Sequence, residues 1–245
     1  EIINIVKELQ ITAVFQNGLN LQALDRKVLE ALKSAGINHL VLPVESGSDR
    51  VLKEIIHKPI NLSIVKRVVD DCRELRIYTT VNILIGFPGE TKLDIEDSRS
   101  FLKTIDANWF TILIATPLAG TEMLDKCIKG NYLKASYIDC NFDKGIVETE
   151  DFSIEYIHEM EYFLNLELNF VENNDFRLGN YETALRGFEN AIRAKNNHAI
   201  AYYYAAKCCE KLGNLQKARQ YYRYCRMITK KVPFWRKYAD MFHIA

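Results

Sequence analysis

The sequence predicts an α/β fold over residues 1–130 and an all-helical region after residue 164. Strand-like and helix-like segments alternate through the first region, at a spacing typical of parallel strands joined by right-handed helical crossovers. In the second region the tripeptide Leu-Gly-Asn at 178–180 recurs 34 residues later, at 212–214. A repeat of that length indicates stacked pairs of helices.

Four strand–helix units are predicted along the first region. The strands are residues 11–15, 39–44, 78–85 and 109–115, and the helices are residues 21–35, 49–57, 62–75 and 93–105, with a fifth beginning at 121. The last two strands are apolar and β-branched, so we expect both of their faces to be buried. Four units do not close a barrel alone. They are half of an eight-stranded barrel, two-thirds of a six-stranded barrel or part of an open sheet.

The strand at 11–15 is the first strand of the predicted sheet. It is expected to form an exposed or self-paired sheet edge. Residues 129–149 are rich in Gly, Asn, Asp and Lys and have weak periodicity, and helix is predicted to resume after Ser153, whose hydroxyl is suited to cap it. The expected regions are a partial barrel at 1–130, a connecting segment at 131–164, and a helical region at 165–245 with repeats at 165–198 and 199–232.

The repeat pattern is that of tetratricopeptide repeats. Ala184 recurs as Ala218, and Phe188 recurs as Tyr222. A small side chain lets two helices approach, and the aromatic side chain fills the gap beside it. We therefore expect Phe188 and Tyr222 to lie in equivalent surroundings, with a capping helix near Phe234 covering the last apolar face.

Composition narrows the class of partner. Apolar residues make up 48% and charged residues 26%, as in soluble globular proteins, and the formal net charge is +0. Because there is no overall basic excess, no nucleic-acid partner is expected. No apolar stretch reaches the roughly 20 residues of a membrane span, so no membrane partner is expected either. The sequence leaves open a local basic face at Arg219, Arg223, Arg226, Lys230 and Lys231.

The cysteines suggest no metal site. None stands at a CxxC or other metal-ligand spacing, so they are interpreted as small buried apolar residues in a reducing cytoplasm. The six are Cys72, Cys127, Cys140, Cys208, Cys209 and Cys225.

The loop after the second strand is the first candidate site. It comprises Glu45, Ser46, Gly47 and Ser48 and precedes a helix. Ligands of β/α barrels bind at the carboxyl ends of the strands, and helix N-termini favour the oxygen atoms of a ligand. Ser46-x-x-Asp49 also fits a capping box, a purely structural role. Glu45 favours binding, because an acid at the end of a buried strand needs a partner such as a ligand's ammonium or hydroxyl group.

The loop after the third strand is the second candidate, and it comprises Gly86, Phe87, Pro88, Gly89 and Glu90. Proline and glycine stand where a type II turn requires them. The following Thr91-x-x-Asp94 fits another capping box. A tight, capped turn leaves only Gly86 unexplained, where the missing side chain gives room for a flat ligand.

Two further loops complete the predicted rim. Thr116 and Pro117 follow the fourth strand, and Gln16-Asn17-Gly18 follow the first. Each of them alone is an ordinary turn. Four polar or glycine-rich loops at the ends of parallel strands together predict a ligand-binding face. No catalytic residue is assigned within it.

Three of these segments, in order and spacing, resemble the radical S-adenosylmethionine (SAM) superfamily. They run from Val44 to Ile55, from Gly86 to Thr91 and from Ala115 to Thr121. The resemblance covers about residues 1–130 and is closest to the branch with methylthiotransferases and cobalamin-domain proteins. It implies the last four units of a six-stranded (β/α) barrel, with the loop residues named above lining the face for SAM and substrate.

The resemblance also implies a [4Fe–4S] cluster in the full-length parent, held by a CxxxCxxC loop. There, one-electron reduction cleaves SAM to methionine and a 5′-deoxyadenosyl radical. This sequence has no CxxxCxxC and no glycine-rich motif for the SAM amino group, and it begins inside an amphipathic segment. We therefore expect an inactive C-terminal portion of a longer enzyme. A cobalamin cofactor also fits the subgroup.

Two other interpretations stay open. One is a repeat-based protein–protein interaction module on a degenerate barrel scaffold, whose groove binds a helix or an extended peptide. The other is an unrelated β/α-barrel enzyme that binds phosphate. The repeats are equally compatible with a role in bracing the barrel alone.

Overall fold

A computed structural model describes residues 2–9, 11, 13–15, 18–58, 60–138 and 145–244. The chain divides into two compact units, residues 1–165 and residues 166–245. Within the part that is described, no helix has both the length and the apolar character to cross a membrane. The finer division at residues 130 and 164 stays a prediction.

The first unit is built on a parallel sheet of three strands in the order β1-β2-β3. The strands are β1 His39–Glu45, β2 Tyr78–Ile85 and β3 Trp109–Ile114. Because all three run in the same direction, their carboxyl ends lie at one edge of the sheet. Three predicted strands are thus confirmed to within one residue at each end.

Helices follow the strands as the alternating pattern predicts. Those of the first unit are α1 Ile2–Glu8, α2 Arg26–Ser34, α3 Leu62–Glu74, α4 Lys92–Leu102, α5 Glu122–Lys129 and α6 Ile154–Leu166, with a 3₁₀ turn at Leu21–Ala23 and a π-helical turn at Val51–Ile55. The helix predicted at 21–35 is split. Asp25 accepts a hydrogen bond from the Val28 N–H at 2.8 Å, and an N-cap of this kind starts α2 late.

One face of the sheet is buried and the other is partly open. Val81 and Ile83 of β2 are fully buried, whereas Asn82 between them is half-buried. The expectation of burial on both faces is therefore wrong, because the described helices cover only one face fully. The buried residues of α3, which packs on β2, are Val65, Val68, Val69 and Cys72.

The first predicted strand, at 11–15, does not form in the residues of it that are described. Its described residues, Ile11 and 13–15, belong to no strand. The adjacent edge of β1 explains the difference, because Pro43 has no N–H and its carbonyl oxygen accepts a hydrogen bond from Lys58 Nζ at 2.8 Å. Among the described residues the sheet therefore has three strands rather than four, and β1 is one of its two edge strands.

The second unit is helical throughout its described residues. After a π-helical turn at Glu167–Val171, the helices are α7 Asn174–Arg177, α8 Tyr181–Ala194, α9 Ala199–Lys211, α10 Leu215–Lys231 and α11 Pro233–Met241. Helix α9 packs against both α8 and α10. Its core includes Ala205, Ala206 and Cys208, none of which is accessible to solvent.

The glycines and alanines that recur 34 positions apart have matching backbone conformations and matching burial. Gly179 and Gly213 have φ of +80° and +79°, and each ends a helix that leads into the next one. Ala184 and Ala218 are both 2% exposed. The left-handed turn and the close helix approach therefore repeat.

The aromatic positions do not repeat in the same way. Phe188 is fully buried, with its ring centroid 5.5 Å from that of Phe170 and 6.0 Å from that of Tyr204. Tyr222 is half-buried, because its hydroxyl donates a hydrogen bond to Glu210 Oε2 at 2.8 Å near the surface. The expected equivalence of Phe188 and Tyr222 is wrong.

Candidate functional site

The carboxyl edge of the sheet carries the loops that the sequence singles out. One loop follows each of β1, β2 and β3, and all three lie in the first unit. The predicted residues on these loops are Glu45, Ser46, Gly47 and Ser48, then Gly86, Phe87, Pro88, Gly89 and Glu90, then Thr116 and Pro117. Gln16 and Asn17 of the fourth predicted loop lie outside the described residues.

Glu45 ends β1 in a left-handed backbone conformation. Its φ is +72°, and the pairing register with β2 shifts between Pro43 and Glu45. A non-glycine residue rarely adopts this conformation, and such a shift re-aims the side chain. Glu45 Oε1 accepts a hydrogen bond from Lys58 Nζ at 2.7 Å. Lys58 is thus a partner for one oxygen of this carboxylate, for which the sequence predicted a ligand as partner.

Ser46 and Gly47 pack against α4. Ser46 Oγ lies 3.2 Å from Ser98 Oγ, and the Gly47 N–H donates to that same hydroxyl at 2.9 Å. A Cβ atom on Gly47 would lie 2.6 Å from Ser98 Cα, so only glycine fits. The Ser46 side chain is fully buried and its hydroxyl is used within the protein. These two residues therefore position the loop.

Asp94 joins the first two loops. It accepts hydrogen bonds from Ser48 Oγ at 2.8 Å and from Arg50 Nε at 3.1 Å, and forms the predicted capping box with Thr91. Burial alone would raise the pKa of Asp94, but the hydrogen bonds from Arg50, Thr91 and Ser48 outweigh burial and hold it well below its usual range. The carboxylate is therefore ionised and structural. The capping box predicted at Ser46 is wrong, because Ser48 is the serine that accepts from a helical N–H, that of Val51, at 3.4 Å.

The segment from Phe87 to Glu90 is the predicted type II turn. The Glu90 N–H donates to the Phe87 carbonyl at 2.9 Å, and Gly89 has a φ of +89°. Arg50 also donates to the Gly89 carbonyl at 2.8 Å. The turn is thereby fixed to the loop that follows β1.

Glu90 is a buried acid that holds this turn from inside. Its Oε2 accepts hydrogen bonds from the N–H groups of Gly86 at 2.6 Å and Phe87 at 3.1 Å. Its Oε1 is buried without a hydrogen-bond partner. Burial raises the pKa of Glu90 to about 8, although the two backbone hydrogen bonds oppose the shift. A neutral carboxyl group is the form that this site favours at neutral pH.

Gly86 meets α6 rather than open space. It has a φ of +90°, and a Cβ atom there would lie 3.2 Å from Ile157 Cγ2. A Cβ atom on Gly145 would likewise lie 3.2 Å from Ile114 Cγ2, and the Gly145 N–H donates to His158 Nε2 at 3.3 Å. Helix α6 therefore approaches the ends of β2 and β3, which local sequence patterns did not indicate.

The third loop is less specialised. Thr116 Oγ1 donates to the carbonyl of Ile114, the last residue of β3, at 3.3 Å. The hydroxyl is thus used in a local hydrogen bond. Pro117 is buried next to it. A separate cavity of about 460 Å³ lies beside β1, lined by residues that include Gly18, Pro43, Lys58 and Ile60. Lys58 thus links this cavity to Glu45.

The described cysteines do not form a cluster site. Cys72 and Cys127 are buried and free, and burial raises their pKa values to about 12 and about 11. Iron–sulfur clusters need clustered thiolates. Where the structure is described, no group of three or more His, Cys, Asp and Glu residues is suited to hold a metal ion. A [4Fe–4S] cluster therefore does not fit the described residues.

Comparison with known proteins relates part of the first unit to a known superfamily. Residues 2–102 match the model of the radical SAM superfamily. Cytidylyl-2-hydroxyethylphosphonate methyltransferase from Streptomyces wedmorensis is 25% identical over 60% of this chain and 29% of its own length. An uncharacterized methyltransferase from Pyrococcus horikoshii is 31% identical over 44% of this chain and 24% of its own. The tRNA-2-methylthio-N(6)-dimethylallyladenosine synthase of Vibrio parahaemolyticus is 33% identical over 36% of this chain and 19% of its own.

The chain spans less than a third of the length of these curated relatives. Among solved structures, coproporphyrinogen III oxidase from Escherichia coli, described as a radical SAM enzyme, has a TM-score of 0.47 and 12% identity, over 66% of this chain and 34% of its own. That likeness by itself defines neither fold nor function. The first unit is thus similar, over residues 2–102, to the radical SAM superfamily.

Proposed function

We propose that the carboxyl edge of the sheet binds SAM as part of a radical SAM enzyme. The proposal rests on two loops at the ends of the adjacent strands β1 and β2. The first contains Glu45, which is bound by Lys58, and the second is held by hydrogen bonds to buried Glu90. Both lie in the region that matches the radical SAM superfamily. When bound and reduced in this superfamily, SAM supplies a 5′-deoxyadenosyl radical. The residues of this chain would bind and orient it.

Glu45 is the first candidate contact to SAM. Its Oε1 is engaged by Lys58, and its Oε2 has no partner among the described residues. A carboxylate oxygen in this position would accept a hydrogen bond from a ribose hydroxyl or from the SAM ammonium group. Lys58 would fix the orientation of the carboxylate as it does so.

Gly86 is the second candidate contact. The absence of a side chain allows a flat ring to approach the backbone, and the turn behind it is held by buried Glu90. Ile157 of α6 lies within van der Waals reach on the same side. Because Ile157 fills this space in the unliganded chain, the adenine ring would have to displace the isoleucine side chain to reach Gly86.

The class of reaction is taken from the relatives. Two of those named above are methyltransferases by name, and the third is named as the synthase of a 2-methylthio nucleoside of tRNA. We therefore propose transfer of a methyl or methylthio group to a substrate of unassigned class. A cobalamin cofactor stays a prediction of this proposal. A cytoplasmic location likewise stays a prediction.

SAM binding is tested by equilibrium dialysis of radiolabelled SAM against the full chain, E45Q and E30Q. We expect weak binding, with Kd on the order of 1 mM, because no cluster chelates the ligand. E45Q should weaken it several-fold. E30Q is the matched control, since it removes a carboxylate from an exposed ion pair with Arg26 on α2 and should change nothing. Absence of binding, or equal binding by E45Q, would contradict the proposal.

The cysteine arrangement gives a second test. After anaerobic reconstitution with iron and sulfide, this chain should stay colourless and yield no 5′-deoxyadenosine, because no three ligand residues come together among those described and burial raises the pKa of Cys72 and Cys127. A brown protein that produces 5′-deoxyadenosine would show that cysteines assigned to packing are ligands.

The alternative function is an interaction module on a degenerate barrel. The repeated glycine turns and buried alanines of the second unit favour tetratricopeptide-like helix pairs, which bind helices or extended peptides in other proteins. A chain that binds a peptide but no SAM under the dialysis conditions would favour this alternative.

A further inference from the structure

The two units carry opposite net charges. Residues 1–165 contain 18 Lys and Arg against 25 Asp and Glu, a net charge of −7. Residues 166–245 contain 14 Lys and Arg against 7 Asp and Glu, a net charge of +7. The zero net charge of the chain is therefore a cancellation, and it does not describe the surface of either unit.

The positive charge of the second unit is concentrated on α10. This helix, Leu215–Lys231, contains six Lys and Arg residues and no Asp or Glu. Arg219, Arg223, Arg226 and Lys230 follow at intervals of four, three and four residues, so they fall on one narrow stripe of the helix. All four are exposed. The stripe is about 16 Å long at the rise of an α-helix.

The stripe is not neutralised within the described part of the protein. None of its four side chains forms a hydrogen bond or ion pair with a described residue. Lys217 behaves differently, since its Nζ lies 2.7 Å from Glu189 Oε1 on α8. The pairing of Lys217 shows that α10 can be neutralised by its neighbours where it faces them. The stripe faces solvent without such partners.

An aromatic and an apolar side chain flank the stripe. Tyr224 and Met227 are 38% and 42% exposed, and helical geometry places them on the row next to the four basic residues, with Lys231. Exposed side chains of this kind beside arginines form platforms on which bases stack. The guanidinium groups match phosphate geometry and also stack on rings.

We propose that this face of α10 binds single-stranded nucleic acid. Four unpaired cations along about 16 Å would contact successive phosphates, and Tyr224 would stack on an unpaired base. A duplex would offer phosphates but would keep its bases away from Tyr224. An acidic peptide would match the charges and leave the aromatic platform unused. The proposal does not depend on SAM binding by the first unit.

The test is fluorescence anisotropy of labelled U20 and dT20 with the full chain, over a series of salt concentrations. We compare wild type with the stripe variant R219Q/R223Q/R226Q/K230Q and with the control K7Q/K27Q/K53Q/K129Q, which removes the same charge from exposed positions of the first unit. The stripe variant should bind at least tenfold more weakly at low salt. Its slope of log K against log salt should fall by up to about 3, since each lost phosphate contact removes about 0.7.

The stacking contact is tested separately. Y224A should weaken binding several-fold and leave the salt slope unchanged, because it removes a base contact and no phosphate contact. Circular dichroism checks that every variant folds, and R223Q/R226Q replaces the quadruple variant if that one does not. Binding of U20, dT20 or both, lost in the stripe variant and kept in the control, supports the proposal.

Three outcomes would overturn it. They are no binding of either oligonucleotide by wild type, an equal loss in the stripe variant and the control, and equally tight, equally stripe-dependent binding of a labelled poly-glutamate peptide. The last result would assign the face to an acidic protein partner instead.

Discussion

The two units of this chain use charge in different ways. In the first unit, Arg50 pairs with Asp94 of α4, and Lys58 pairs with Glu45 at the end of β1, so that cations hold neighbouring segments together at the carboxyl edge. In the second unit, the stripe on α10 has no such partners. Charged side chains that are paired within the protein position a site, whereas exposed and unpaired ones are available to bind a partner. The net charge of a whole chain does not distinguish the two cases.

The largest expected effect concerns Asp94. D94N should lower the free energy of unfolding by about 3 kcal/mol, because it leaves Arg50, Ser48 and the N-cap of α4 without their common acceptor. D70N is the control, since Asp70 forms an exposed i,i+4 pair with Lys66 and should cost less than about 0.5 kcal/mol. Urea denaturation measures both. Equal costs would mean that the network at the edge is not structural.

The second unit should be sensitive to acid. His198 is buried between Phe170 and Trp235, and burial, with the nearby charge of Lys195, lowers its pKa from 6.5 to about 3. Because the folded pKa lies below the unfolded one, stability is present above pH 6.5 and is lost as the pH falls towards 3. The loss should be on the order of 1 kcal/mol per pH unit.

Trp235 reports this transition directly, since its ring centroid lies 4.4 Å from that of His198. In a W109F background it is the remaining tryptophan of the chain. Urea melts followed by Trp235 fluorescence at pH 4 and pH 7 should differ in midpoint, and the difference should shrink in H198N. An unchanged difference in H198N would exclude His198 as its source.

The first unit should respond to pH in the opposite direction. Burial raises the pKa of Glu90 from 4.5 to about 8, so the folded state holds a proton that the unfolded state releases. Stability from this group is fully present below pH 4.5 and is lost as the pH rises to about 8. The change should be on the order of 1 kcal/mol per pH unit.

E90Q sharpens this prediction because it mimics the neutral form. The stability of E90Q relative to wild type should increase from pH 5 to pH 8 and then level off, as measured by urea melts followed by Trp109 fluorescence in a W235F background. A pH-independent difference would mean that Glu90 is ionised in the folded protein.

The sequence predicted local features better than distant contacts. It located β1, β2 and β3, the type II turn ending at Glu90 and the capping box of Thr91, because each depends on neighbouring residues. It did not predict that Lys58 would reach Glu45, or that Ile157 would lie over Gly86. These contacts join residues 13 and 71 positions apart, and no periodic pattern encodes them.

The wrong predictions have the same origin. The strand at 11–15 has a suitable composition, but Pro43 and Lys58 on the neighbouring edge prevent regular pairing. Phe188 and Tyr222 match in the repeat, but the tyrosine hydroxyl bonds to Glu210 and draws its ring to the surface. In both cases a polar contact to a distant residue lies outside what the local pattern of apolar residues encodes.

The smallest expected effect tests how closely the helical pairs repeat. G179A and G213A should each cost about 1 kcal/mol, because both positions have φ near +80° and open space around a Cβ atom. G47A should cost more, since a Cβ atom there lies 2.6 Å from the α4 backbone at a position without positive φ. Unequal costs at 179 and 213 would weaken the repeat interpretation.

The most direct test of SAM binding at the carboxyl edge is a titration of ¹⁵N-glycine-labelled protein with SAM, followed by NMR. The amide resonances of Gly47, Gly86 and Gly89 should shift, because they lie on the loops of that edge. Those of Gly179 and Gly213, in the second unit, should not. Shifts confined to the second unit, or no shifts at millimolar SAM, would contradict the account.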